Sequence, residues 1–264
     1  MKGPSTGTGV IEVKSPGQLQ IMRRAGRVVQ EMLENLKRAV KPGVTTMELD
    51  ELAVATLARM GAKSAFKGYH GYPANICTSI NEEVVHGIPS TKRKLKAGDV
   101  IGVDVGSIVD GYYSDAAVTV AVGEIPAETQ VLLDVTEEAL MLGIAQAREG
   151  KRLSDISNAV QTKVEAHGYS VVREFVGHGI GTQLHEPPQI PNYGAPGYGP
   201  VLKAGMVLAI EPMVNKGRPE VKVLSDGWTA VTKDGSLSAH FEHTIVVTGG
   251  EPEILTGTRK KAGS

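Results

Sequence analysis

Leu95-Lys96-Ala97-Gly98 recurs as Leu202-Lys203-Ala204-Gly205, and the turn glycines Gly43 and Gly150 stand the same 107 residues apart (205 − 98 and 150 − 43). Each of those turns precedes a segment with helical patterning. One four-residue match can arise by chance, but a constant offset held across half the chain reads as duplication. Two copies of a unit this long make a pseudo-twofold domain, not an open solenoid. The offset carries Asp104 onto Glu211. Equivalent positions of two half-domains thus each hold an acid. Joining the sheets of a duplicated α/β unit brings the two together at a central cleft.

Four acids share a second peculiarity. Asp104 and Asp115 lie in VIGVDVGSIVDGYYSD, Glu211 in VLAIEPM and Glu242 in AHFEHTIVV, each inside or beside an apolar, β-branched run. A carboxylate in such a run needs a partner that neutralises it, and a divalent cation does so well. His178, between Gly177 and Gly179, adds a nitrogen where small neighbours let a ligand come close. Together the five read as a metal site. Val103-Asp104-Val105 is a strand by composition, and Asp110-Gly111 supplies hairpin turn chemistry before Tyr112. A two-residue turn there sets Gly106 opposite Asp115 and makes Asp104 a diagonal neighbour, about 7–8 Å away between backbones. The alternative, two aspartates on a solvated face, sits badly with flanks this apolar.

At 264 residues the chain is long enough for one substantial core. A formal net charge of −1 argues against general polyanion binding. Cys77 is the only cysteine, so no internal disulfide forms, which fits a reducing compartment. The N-terminus lacks the apolar core of a signal peptide, and no apolar run approaches the roughly 18 residues of a spanning helix. A cytoplasmic protein is expected, with a flexible arm over 1–14, one catalytic domain over 15–255 and a frayed tail over 256–264. Ser15-Pro16 opens a helix that runs towards Pro42-Gly43, and Thr46 starts a second that Gly61 ends. Pro126 begins a helix leading to Gly150, and 153–167 makes another. Strands are predicted near 75–80, 100–105, 112–121, 171–176, 206–211, 228–232 and 240–248. The Pro- and Gly-rich stretch 186–200 is predicted to be a loop.

The other histidines divide. His243 follows Glu242, so on a strand it faces the opposite side and is read as a packing residue. His167 precedes the helix-ending Gly168, where a cation suits the helix dipole. His86 ends the apolar strand in VVHGIP and His185 sits beside Glu186-Pro187-Pro188; residue type alone gives neither a role. His70 and His240 are left undecided.

The segments FKGYHGYPANICTSINEEVVHGIP, DVGSIVDGYYSD, GHGIGTQLHEPP, IEPM, DGW and FEHT follow one another along the chain. In that order they resemble a type I methionine aminopeptidase of the bacterial kind, over roughly residues 15–255. The resemblance implies the pseudo-symmetric "pita-bread" α/β fold. It implies removal of the initiator methionine before a small second residue, by attack of a metal-bound hydroxide on the first peptide bond. It assigns Asp104 to one divalent ion, His178 and Glu211 to the other, and Asp115 and Glu242 to both. The oxygen-rich set favours Mn, Fe or Co, with Zn also accommodated. Glu211 is then the proton shuttle, and His86 and His185 contact the substrate peptide. Tyr69, Tyr72, Cys77 and Trp228 match the methionine-pocket region. Phe66 stands where some members carry Cys, and Leu184 where a Phe is common; both keep the pocket apolar. The implied partners are N-termini of nascent polypeptides. Ribosome contact through Lys216, Arg218, Lys222 and Lys233 stands against an ordinary solvated loop. A monomer is expected, without membrane or sequence-specific nucleic-acid binding. Proline-specific relatives share the ligand set, but they normally carry a further N-terminal domain, and only residues 1–14 precede the first helix. A metal-free binding protein on this fold is the other rival, and such proteins lose ligands that this chain keeps.

Overall fold

A capping box starts the first helix. In the computed structural model, which describes residues 9–257, α1 spans Pro16–Ala39; the Ser15 hydroxyl accepts from Gln18 N–H and the Gln18 side chain from Ser15 N–H. Two otherwise orphaned donors are thereby satisfied. Met22, Ala25, Val28, Val29, Met32, Leu33 and Leu36 form its buried stripe, the spacing of a helix with one apolar face. In α2, Thr46–Arg59, the box is repeated by Thr45 and Glu48. Their counterparts are α3, Ala127–Gln146, and α4, Leu153–Glu165. The 107-residue offset carries Ala39 onto Gln146 and Thr46 onto Leu153.

The first half holds β1 (Lys63–Ser64), β2 (Ile76–Ile80), β3 (Glu83–Val85), β4 (Val100–Val109) and β5 (Tyr112–Ala121). β4 and β5 form a hairpin closed by Asp110 and Gly111 at φ 47° and 80°, the double positive φ that suits the strands' twist. Gly106 pairs with Asp115 and Asp104 with Ala117, so the register is the one the turn predicts. The second half holds β6 (Ser170–Val171), β7 (Gly177–Gly179), β8 (Glu186–Ile190), β9 (Val207–Ile210), β10 (Met213–Asn215), β11 (Val221–Val223), β12 (Ala230–Thr232), β13 (Ser238–His240), β14 (His243–Val246) and β15 (Glu253–Ile254).

Duplication is visible bond by bond. Gly43 N–H donates to Leu95 O at 2.8 Å and Gly150 N–H to Leu202 O at 3.0 Å. Leu95 N–H reaches Val44 O, and Leu202 N–H reaches Lys151 O, both at 2.8 Å. Gly98 and Gly205 share φ near 92° and 91°, a left-handed conformation that glycine adopts without penalty. The return strands are offset by 125 rather than 107: Val100 pairs with Ala121, and Val207 with Val246 (246 − 121). The added residues fall between β10 and β13, in the region of β11 and β12. At the join, Glu242 N–H donates to Ala117 O at 2.9 Å and Ala117 N–H to Glu242 O at 3.4 Å. These two residues are themselves 125 apart, so the pair sits on the pseudo-twofold axis. Thr119 Oγ1 bonds the His240 backbone on one side, and Thr244 Oγ1 bonds the Asp115 backbone on the other.

Three predicted elements differ from the structure. The stretch 186–200 is not all loop: Gln189 and Ile190 of β8 pair with His178 and Gly177 of β7. β8 is the outermost strand in the order β15-β14-β9-β7-β8, and an edge is where a strand tolerates Pro187 and Pro188. The strand near 171–176 shrinks to β6. The strand predicted over 240–248 is interrupted at Phe241–Glu242, opposite Glu211-Pro212. Pro212 has no N–H to give a ladder, so one pair (β9 with β14) ends there and another (β10 with β13) begins. Residues 1–8 and 258–264, most of the expected arm and tail, lie outside the described residues. Lys14, in the rest of that arm, is buried and donates its N–H to Gly205 O at 2.8 Å.

Candidate metal centre

Asp104 on β4, Asp115 on β5, His178 on β7, Glu211 after β9 and Glu242 before β14 all line one cavity of about 280 Å³. The two glutamates occupy the opposed gaps left by the interrupted ladders, where each is free to turn inward. His178 is held between β8 and β9, opposite Gln189 and Ala209. Gly177 and Gly179 are required beside it, because a Cβ at either would meet backbone oxygens at 2.5 and 2.2 Å.

Asp115, His178 and Glu242 each place a ligand atom within 4.8 Å of the others. His178 Nε2 lies 3.5 Å from Asp115 Oδ2 and from Glu211 Oε1. Its Nδ1 donates to Gly179 O at 2.9 Å, which leaves Nε2 with its lone pair facing the acids. Thr244 Oγ1 lies 2.9 Å from Asp115 Oδ1 and fixes that carboxylate. Asp104 reaches the cavity from the neighbouring pair of β4, directly opposite Cys77 and Ala117.

Burial dominates the electrostatics. It pushes Asp104 up to about 8, with Asp115 and Glu211 adding repulsion. Glu211 is likewise pushed up to about 8 by burial. Asp115 is raised by burial, and Glu242 well raised by burial and by the Asp115 and Glu211 charges. Among the described residues, Asp104 Oδ1 and His240 Nε2 are buried without a hydrogen-bond partner. Four crowded carboxylates and one imidazole lone pair, short of protein cations, suit a divalent ion with hard oxygen preferences. The donor set fits.

An apolar wall closes the other side. Phe66, Tyr69, Tyr72, Cys77, Leu184 and Trp228 line the same cavity, as do His86 and His185. Asp50, deep in α2, accepts from Asn75 N–H, Ile76 N–H and the Asn75 side chain at 2.8–3.1 Å, and so anchors the start of the strand that carries Cys77. Burial raises the Cys77 thiol well above its ordinary value. Tyr69 OH and His185 Nδ1 are 2.6 Å apart, and the His185 ring stands edge-on to His178 at 4.3 Å. Burial pulls His185 down to about 3 and His86 down to about 4, so both rings are neutral near pH 7. His243 instead meets Thr256 Oγ1 at 2.8 Å, away from the cavity, and His167 Nδ1 meets Lys163 O at the end of α4.

Four contributors escape reading by residue type. His70 lines the cavity. His240, buried with Nε2 3.6 Å from Glu211 Oε2, is the pseudo-twofold counterpart of Asp115, and only the 125-residue offset would have singled it out. Asp50 and Thr244 act through hydrogen bonds that no spacing reveals. Of the four basic residues near Trp228, Lys216 is paired with Glu128 at 3.0 Å.

No helix among the described residues is long and apolar enough to cross a membrane. The profile of metallopeptidase family M24 matches residues 20–249. Methionine aminopeptidase 1 of Bacillus subtilis is 54% identical over 94% of this chain and 99% of its own. A crystal structure of methionine aminopeptidase from Thermotoga maritima superposes with a TM-score of 0.93 at 47% identity, covering 94% of this chain and all of that one. The prolidase of Pyrococcus horikoshii shares the fold alone, with a TM-score of 0.75 at 22% identity, over 94% of this chain and 64% of the prolidase. Matched along nearly its whole length, with the acids and histidine of a metal centre gathered at its pseudo-twofold axis, the chain belongs to metallopeptidase family M24, among its methionine aminopeptidases.

Proposed function

We propose that the chain removes the initiator methionine from nascent proteins and peptides with a small second residue, using two divalent cations held by Asp104, Asp115, His178, Glu211 and Glu242. The observation that carries this reading is the meeting of those five donors with a closed apolar wall in one cavity. Asp104 would hold one ion, His178 with Glu211 the other, and Asp115 and Glu242 both. Fe, Mn, Co or Zn bound there supplies Lewis acidity and an activated water at neutral pH.

The remaining work falls to the chain. An unbranched thioether suits a pocket walled by Phe66, Tyr69, Tyr72, Cys77, Leu184 and Trp228, where sulfur meets aromatic rings. Cys77 stays protonated and is wall, not nucleophile. Burial keeps the Tyr69 phenol protonated, so its O–H donates to His185 Nδ1 and leaves His185 Nε2–H to donate to the substrate's peptide oxygen. Neutral His86, packed edge-to-face on Phe175 at 5.4 Å, contacts the scissile amide. A Glu211 carboxylate oxygen takes the attacking water's proton and returns it to the leaving amine. Lys216, Arg218, Lys222 and Lys233 are the residues through which the ribosome would be met.

Metal content of protein purified without added ions, together with hydrolysis of Met-Ala-Ser, tests the reading. Met-Gly and Met-Ala peptides should be cut while Met-Lys and Met-Leu are spared. Comparable cleavage of Xaa-Pro peptides lacking methionine would overturn it.

A further inference from the structure

The turn between β7 and β8 carries His185, and its shape is organised around a single carboxylate. Glu186 Oε1 accepts from Thr182 N–H at 2.7 Å and Gln183 N–H at 3.1 Å. The other oxygen, Oε2, lies 2.7 Å from Lys14 Nζ. Lys14 belongs to a different part of the chain, ahead of α1, and its side chain is only 1% exposed. A lysine is rarely buried this far unless it is paired, and here it has Glu186 and, at 2.5 Å, Glu12. Its backbone is pinned as well, through the bond to Gly205 O. The fit is close: a Cβ on Gly181 would stand 2.4 Å from Lys14 Nζ and Cε.

We infer that Lys14 is a positioning residue that acts through Glu186 on the Gly181–Glu186 turn, and so sets His185 against the substrate's peptide group. The segment ahead of α1 thereby belongs to the catalytic architecture. Glu186 is the neighbour of His185, and Tyr69 holds only the Nδ1 edge of the ring. Without the Lys14 cation, a largely buried carboxylate is left to seek water. The turn hydrogen-bonded to it then moves, and a shift of about 1 Å in a substrate-orienting group is enough to slow a reaction severely.

This inference rests on the proposed role of His185, and a double-mutant cycle in the full, metal-loaded chain separates the two. Lys14→Met should lower kcat for Met-Ala-Ser about 10- to 100-fold, while calorimetric affinity for Mn stays near wild type. The Thr182 and Gln183 amides should exchange with deuterium faster than in the parent. In a His185→Ala background, Lys14→Met should change kcat by no more than about twofold, the mark of two residues acting as one unit. A structural ion pair alone would lower Tm and leave kcat per folded molecule unchanged in both backgrounds. Full additivity of the two losses, or wild-type kcat in Lys14→Met, overturns the inference while leaving His185 in its role. Wild-type turnover in His185→Ala itself overturns both. Should Lys14→Met fail to fold, Glu186→Gln, which keeps the acceptor for the turn but loses the charge that holds Lys14, is judged by the same criteria.

Discussion

Stripping the metal should make stability fall as pH rises through neutrality, the trend that a cluster of buried, protonated acids produces. Asp104 and Glu211 titrate near 8 in the metal-free fold, because burial opposes their charge, whereas in the unfolded chain both are ionised above about pH 5. Between pH 7 and 8 the native state therefore binds more protons than the unfolded state, and each extra proton costs about 1.4 kcal/mol of stability per pH unit. One to two protons, shared over a repelling cluster, give a loss of about 1–3 kcal/mol. For a chain of this size that is a drop in Tm of roughly 3–10 °C. Asp115 and Glu242 are raised too and act in the same direction. His86, His185 and His243, all lowered by burial, act oppositely, since the unfolded chain takes up their protons as pH falls. Their influence fades above about pH 7, so the acids dominate the window from 7 to 8. Calorimetric melts of chelator-treated protein at both pH values, beside a Mn-loaded sample, make the comparison. Loading should flatten the slope, because a cation holds the ligands ionised, as they already are in the unfolded chain at this pH. A stripped protein equally stable at pH 7 and 8, or one indifferent to Mn, would show that the cluster is not what we describe.

Asp104→Ala should retain one tight site by titration calorimetry, whereas Asp115→Ala and Glu242→Ala should show neither at wild-type affinity; the reverse pattern would remove the bridging assignment. His185→Ala should lower turnover about 10²-fold or more, as loss of a preorganised donor does, with metal affinity close to wild type, and loss of metal in that variant would make His185 a ligand. Asp50→Ala leaves three buried donors unpaired at the base of β2, at about 1–3 kcal/mol each, so chemical denaturation should show a loss of several kcal/mol; a loss under about 1 kcal/mol would mean the strand is anchored elsewhere. Co-sedimentation with ribosomes should weaken steeply with salt and vanish when Lys216, Arg218, Lys222 and Lys233 are all replaced by Glu, while salt-independent sedimentation would reject that docking surface.

Much of the fold was legible because its signals are local or repeated. Asp110-Gly111 dictates a two-residue turn, and from the turn alone the pairing of Gly106 with Asp115 follows. The offset between the LKAG motifs locates both half-domains and relates Asp104 to Glu211. What could not be read depends on position in a sheet. Pro187 and Pro188 look like loop residues until β8 is known to be an edge. The interruption at Glu211 was signalled by Pro212, yet its consequence for Glu242, thirty-one residues on (242 − 211), needs the pairing of β9 with β14. His240 stayed undecided because the extra residues between the return strands hide its equivalence to Asp115.

That equivalence explains how a symmetric scaffold comes to hold an asymmetric site. Under the pseudo-twofold, Asp104 maps to Glu211 and both are acids. The return strands diverge: Asp115 maps to His240, and Ala117 to Glu242. Thr119 and Thr244 hold the two return strands in the same way, so the backbones agree and only the side chains differ. Each half thus contributes one acid from its first strand and one from its second, but from positions two residues apart: the first half uses Asp115 diagonally, the second uses Glu242 directly opposite Glu211. An alanine on the axis at 117 leaves room for the Glu242 carboxylate, and a second acid there would add a fifth charge to a cavity that already burdens four. His178 and His240, both from the second half, bring their Nε2 atoms to 3.5 and 3.6 Å from Glu211 and make that end of the cavity chemically unlike the other. A site with distinguishable ends can orient an extended peptide in one direction; in the proposed function its side chain would lie against β2 and its scissile amide towards His86 and His185.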